Sequence, residues 1–233
     1  MHGVIVCMRI LVCGAPCSET SEFVDAFVKR YPKYEGHVEK FSKDTLTLDN
    51  SVDISIIDKK FEDHAELAIH HGKDEFLITE GGVMDDLVMV YMFIAMHVKK
   101  IDKEKMKKFT ALFYFSVFNY DVIFYLPIAG KINRYLPKIE KEEFSMYASM
   151  DSFFEAICKQ NEKRNSTLFP FEEEKGAPPV IRVPGGTVQE QLDLVAELYL
   201  DKDGCMDTVE VAPLTKNVID SVVNPKGKGL LAK

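Results

Sequence analysis

The chain has 233 residues, 46% of them apolar and 28% charged, enough for one substantial core and a single main domain. Its net charge of −8 argues against nucleic acid or an anionic membrane surface as the main partner, because either would call for a basic face. The five cysteines (Cys7, Cys13, Cys17, Cys158, Cys205) include no CxxC pair and read as reduced thiols of a cytoplasmic protein.

The N-terminal stretch is apolar but short. It lacks a basic start and runs straight into a strand, so it does not read as a signal peptide. No apolar run has the length of a membrane span. Ile10–Cys13 is a short apolar run closed by Gly14, the pattern of a buried parallel strand. After the loop APCSETS, Phe23, Val24, Phe27 and Val28 recur at helical spacing in Glu22–Tyr31, and Pro32 ends that helix. Ile54–Ile57 fits a strand or a buried helical turn equally well. Glu62–His71 reads as a helix capped at Gly72. Glu75–Thr79 is a second buried strand that ends in Glu80-Gly81-Gly82. Helices follow over Met84–Lys100 and Lys103–Phe115. Asp121–Leu126 is a third strand, stopped by Pro127. Lys131–Lys141 reads as a basic loop and Glu142–Gln160 as an amphipathic helix. Pro179–Val183 is a fourth strand, and a last helix covers Val188–Leu200. The tail KGKGLLAK reads as mobile. Strands alternating with longer helices predict a three-layer α/β/α fold with a mainly parallel sheet.

Residues 14–21 read GAPCSETS. The phosphate-binding loop pattern is G-x-x-x-x-G-K-[ST] between a strand and a helix. Gly14 and Ser21 fit it, as do the flanking elements. Glu19 stands where the second glycine belongs and Thr20 where the lysine belongs. In such a loop, backbone N–H groups and the helix N-terminus cradle phosphate oxygens. The lysine bridges the terminal phosphates and the hydroxyl holds magnesium. A glutamate there adds negative charge beside a negative ligand, a repulsion of roughly 4 kcal/mol at about 4 Å and an effective dielectric near 20. Read without its context, the segment is also compatible with a plain strand-to-helix turn.

The wider context favours the loop. GAPCSETSE resembles the GxPCSGKS loop of small P-loop nucleoside and nucleotide kinases, with the nearest likeness to the bacteriophage-type kinase-like ATPases. Glu39 and Lys43 in VEKFSK resemble that family's glutamate before an alanine-lysine pair. Ile78-Thr79-Glu80-Gly81 is similar to its acidic strand end. Tyr120–Pro127 is similar to its YDxIFYLP strand, and Tyr147–Ile157 to the helix after its lid. The likeness covers residues 8–200, with a lid-like segment at about 128–141 and an extension over 201–233.

The resemblance implies ATP and Mg2+ as ligands, held by Gly14, Pro16, Cys17, Ser18, Glu19, Thr20 and Ser21 and weakened by the missing lysine. It places Ser21 and Glu80 on magnesium. Glu80 is also the catalytic acid or proton acceptor at the strand end, where open α/β sheets bind ligands. Arg134, with Lys131 nearby, would neutralise the transferring phosphoryl group. Asp85 and Asp86 either cap the next helix or join the acid set, capping being favoured. Glu39 is an acceptor-site residue or simply exposed. Cys17 is an activated thiol or a small filler of the turn, and filler is favoured. His70 and His71 are adjacent, diverge on a helix and read as surface residues. The aromatic run Phe113–Phe118 is core or interface. Two functions compete. One is a degenerate, weakly active or non-catalytic nucleotide-binding or protein-interaction module, with a nucleotide or a protein as its partner. The other is an active kinase in which a lysine from elsewhere, Lys131 or Lys43, takes the missing place.

Overall fold

The computed structural model describes residues 8–38, 54–95, 101–128, 131, 139–162 and 177–206. Four apolar runs form the body of a sheet: β1 (Met8–Cys13), β3 (Phe76–Glu80), β4 (Val122–Tyr125) and β5 (Val180–Arg182). A short edge strand, β2 (Glu35–His37), completes the order β2-β3-β1-β4-β5, and every pairing is parallel. Runs such as Ile-Leu-Val-Cys suit this arrangement because both faces of a parallel sheet are covered. Alternate residues divide between the faces. Met8, Ile10 and Val12 of β1 join Val122 and Phe124 in one core, while Leu11 and Cys13 join Ile123 and Tyr125 in the other.

Six helices lie among the described residues: α1 (Thr20–Arg30), α2 (Ile54–His71), α3 (Val83–Ala95), α4 (Lys103–Val117), α5 (Lys141–Asn161) and α6 (Val188–Leu198). Residues of α1 and α6 cover the first face and those of α2 to α5 the second. Helix α3 buries residues on every side, from Val83 and Met84 to Met92 and Phe93. An all-round apolar helix belongs inside, and here it contacts α2, α4 and α5. None of the described helices is long and apolar enough to cross a membrane.

Two expectations sharpen. The ambiguous Ile54–Ile57 is the first turn of α2, so that helix starts well before Glu62. Strand β2 had no sequence signal, since its Glu-Gly-His triplet is exposed throughout. Pairing with β3 holds it there, through Glu35↔Leu77 and His37↔Thr79.

The parallel register sets the site. Val12 lies beside Glu80, and Cys13 beside Tyr125, so the carboxyl ends of β1, β3 and β4 align. At the opposite end, the Arg9 guanidinium donates to both oxygens of Asp121 and, at 2.6 Å, to the Gly72 carbonyl. That contact ties β1, the entry to β4 and the α2–β3 turn together. Residues 201–206 fold back on the domain through a Leu200↔Met206 bridge and a Tyr34 hydroxyl that donates to the Gly204 carbonyl. The rest of the extension, with its expected mobile tail, lies outside the described residues, as do most of the lid-like segment, Glu39, Lys43 and Arg134.

Candidate functional site

Gly14 opens the loop because no side chain fits there. A Cβ at that position would come within 2.6 Å of the Leu126 carbonyl. The loop then makes two left-handed turns at residues that are not glycine, Cys17 (φ 73°) and Glu19 (φ 64°). Each costs on the order of 1–2 kcal/mol relative to an ordinary backbone angle. The second falls where the phosphate-loop pattern has a glycine. Glu19 is the N-cap residue of α1, and its side chain makes no capping bond. Cys17 is half-buried and packs on the second-face core, which fits its reading as a filler of the turn.

The Glu19 carboxylate turns inward. It lies 3.3 Å from the ammonium of Lys131, and the two side chains are only 4% and 2% exposed. Lys131 also donates to the Ser18 carbonyl at 2.5 Å and to Gln191 Oε1 of α6 at 2.9 Å. This corrects the expectation of an uncompensated negative charge facing the ligand. A carboxylate buried to this degree needs a partner, and the start of the lid-like segment supplies one. Lys131 is thus engaged with the loop's own acid and carbonyl. The Ser18 hydroxyl is buried beneath Gly14, and Ser18 is not part of the cleft wall.

On the outer side of the loop the hydroxyls converge on Glu80. Thr20 Oγ1 donates to Glu80 Oε1 at 2.5 Å, and Ser21 Oγ lies 2.7 Å from both carboxylate oxygens. These are the short O–H···O⁻ distances of charge-assisted bonds. Ser21 and Glu80, expected to share a magnesium ion, are therefore brought together. The turn after Glu80 uses Gly81 (φ 70°) and Gly82 (φ 91°), and a Cβ on Gly81 would meet Asp85 Oδ2 at 2.8 Å.

Asp85 and Asp86 lie in the first turn of α3, which begins at Val83, and so are not its N-cap. Burial, then the charges of Asp86 and Glu80, hold the Asp85 carboxyl well above the usual carboxylate range. Its Oδ1 is buried without a hydrogen-bond partner among the described residues, although part of the residue faces the cleft. Asp86 is buried and takes the Nδ1 side of His64 from α2 at 2.5 Å.

Together these residues enclose a cleft of about 410 Å3 at the carboxyl end of the sheet. Its walls include the loop from Gly14 to Cys17, Glu19 to Glu22, Glu80 and Asp85, and from α5 Glu143 and Tyr147. Tyr147 donates to Glu143, and burial is the main reason its phenol is pushed up. Lys60 and His64 of α2 also face the cleft. Sequence reading missed both. They are one helical turn apart in a helix whose start was ambiguous, and their approach to the loop depends on tertiary packing.

The donor set suits magnesium. Ser21 and Glu80 offer hard oxygens, and this ion characteristically takes one or two protein ligands and completes its shell with water and phosphate. No group of three or more metal-ligating side chains occurs among the described residues, which leaves no self-sufficient cage.

No protein-family model matches the sequence, and no curated protein does. Solved structures do. Deoxyadenosine kinase from M. mycoides with bound dATP superposes with a TM-score of 0.57 at 15% identity, over 82% of this chain and 98% of that one. The same enzyme with its products dCMP and dCDP gives 0.57 at 14%, over 82% and 97%. Thymidylate kinase from Candida albicans gives 0.51 at 12%, over 82% and 91%. With the sheet order and the strand–loop–helix geometry above, this chain has the α/β fold of P-loop nucleoside and nucleotide kinases.

Proposed function

We propose that this protein is a degenerate P-loop module that binds a nucleotide over the Gly14–Ser21 loop and transfers phosphate weakly or not at all. The observation that carries the reading is Thr20. It occupies the position of the transfer lysine, and its hydroxyl is spent on Glu80. A loop lysine would stabilise charge developing on the transferring phosphoryl group, and phosphoryl transfer relies almost wholly on such positioning and electrostatics. A threonine supplies neither charge nor reach.

Binding is a different matter. The left-handed turns at Cys17 and Glu19 keep the loop wrapped, and the first turn of α1, which has no side-chain cap from Glu19, lines the cleft, the place where a helix N-terminus favours an anion. Pairing with Lys131 makes Glu19 a buried neutral pair instead of a repulsive charge. Ser21 and Glu80 would hold Mg2+, which supplies charge neutralisation to bound phosphates. The kinases of similar fold were solved with dATP, dCMP and dCDP, which makes a nucleotide the ligand class to try first.

Calorimetric titration with Mg-ATP and a nucleoside panel, alongside a phosphate-transfer assay, tests the reading. Expected are micromolar to millimolar binding, loss of binding in Ser21→Ala and Glu80→Ala, and turnover far below the roughly 1–100 s⁻¹ of ordinary kinases. The double change Glu19→Gly, Thr20→Lys restores the loop pattern and is expected to raise ATP affinity. Wild-type turnover in the ordinary range would establish an active nucleoside or nucleotide kinase instead. No binding at millimolar nucleotide would leave a protein-interaction module.

A further inference from the structure

The cleft raises a charge problem that the loop does not solve. Glu22, Glu80, Asp85 and Glu143 line it, and a nucleotide brings two to four more negative charges. Lys131 is buried against Glu19, Ser18 and Gln191 and is not part of the cleft wall. Arg9 and Arg182 also lie outside that wall. Among the described residues of the cleft wall, Lys60 and His64 are the basic ones.

Both come from α2, four residues apart, and so share one face of the helix. Their side chains differ in burial. His64 is buried, with Asp86 fixing the Nδ1 side of its ring at 2.5 Å, and the residue forms part of the cleft wall. Lys60 is partly exposed on a long, adjustable stem one turn earlier. Lys60 and His64 both favour the ionised form of Asp85 at the cleft wall, against the upward push of burial, Asp86 and Glu80.

We propose that α2 supplies the phosphate-recognising cations that the loop has lost: Lys60 contacts the phosphate chain of a bound nucleotide, and His64, held by Asp86, hydrogen-bonds to it. The assignment rests on the nucleotide reading given above and adds which residues confer preference for phosphorylated ligands over nucleosides. It also explains how a cleft with this many carboxylates accepts an anion.

The competing role for Lys60 is to neutralise Asp85 and nothing more. Titration of adenosine, ADP and ATP, each with Mg2+, into wild type, Lys60→Met, Lys60→Arg and His64→Gln separates the two, with thermal melting to verify folding. Lys60→Met is expected to weaken ADP and ATP about tenfold, which is about 1.4 kcal/mol, and to leave adenosine unchanged. Lys60→Arg should recover most of the loss, and His64→Gln should also lower affinity for ADP and ATP more than for adenosine. A Lys60→Met protein that binds ATP like wild type, or that loses adenosine and ATP in equal proportion, overturns the α2 assignment and leaves the cleft a nucleotide site. A wild-type protein that binds none of the three at millimolar concentration overturns the nucleotide reading, and the assignment falls with it.

Discussion

Glu19 is the residue on which the chemistry of this loop turns. It takes a left-handed backbone angle that favours glycine and buries a carboxylate, two costs at one position. Lys131 offsets the second by bringing a cation to 3.3 Å and extending the network to Ser18 and Gln191. Removing one member of a buried pair is far more damaging than removing both, because the survivor is left charged and unsolvated. Lys131→Met is therefore expected to lower stability by about 3–5 kcal/mol. The double variant Lys131→Met, Glu19→Gln should recover a large part of that loss. Urea midpoints of the two single variants and the double variant close the cycle, and simple additivity would show that the pair is not coupled. Asp85 is the opposite case, a buried acid whose Oδ1 has no hydrogen-bond partner among the described residues. Its folded-state pKa is raised, so the folded protein holds this proton more tightly than the unfolded chain does. Stability is then present below the ordinary carboxyl range and declines as pH rises from about 4 toward the raised value. Asp85→Asn should abolish that decline and raise stability at pH 7 by about 1–2 kcal/mol. A melting temperature that falls at pH 7 in this variant would count against the raised pKa.

The elements were legible in proportion to how apolar they are. The cores of β1, β3, β4 and β5 stand out because a strand covered on both faces needs a continuous apolar run. Edge strand β2 lacks that requirement, and Glu-Gly-His carries no pattern from which to read it. The start of α2 was ambiguous because four residues are too few to separate a period of 2 from a period of 3.6. Helix α6 shows the local rules at their clearest. Thr187 accepts from the Glu190 backbone N–H at 3.2 Å, and Glu190 returns a bond to the Thr187 N–H at 2.8 Å, a reciprocal capping box. That backbone bond holds the exposed Glu190 carboxyl below its usual value. The sign follows directly: the contribution is present above the ordinary glutamate pKa and fades as pH falls through the lowered one. Thr187→Ala should cost about 1 kcal/mol at neutral pH in a denaturation experiment, and less at low pH. An equal loss at both would mean that the threonine acts without the glutamate.

At the scale of the whole molecule, the site is a product of register. Val12 beside Glu80 places the end of β3 against the loop after β1, so two residues 59 apart in sequence, Ser21 and Glu80, share a hydrogen bond. The loop motif and the acidic strand end were readable because each lies in one short segment. The Glu19–Lys131 pair and the α2 wall were not, since each joins parts of the chain whose proximity only the packed fold decides. The same packing makes stability a reporter of function. A ligand that binds only the folded protein adds RT ln(1 + [L]/Kd), about 2.7 kcal/mol when its concentration is a hundred times Kd. For a domain of this size that is a rise of roughly 5–10 °C in melting temperature. The cleft is built from the loop after β1 and from β3, α1, α2, α3 and α5, so occupancy should stiffen elements on both faces of the sheet. Mg-ATP is expected to raise the melting temperature logarithmically with concentration in wild type and to have little effect in Ser21→Ala. If ATP shifts both proteins equally, it binds somewhere other than beside Ser21 and Glu80, and the loop is a relic of the fold with no part in holding the nucleotide.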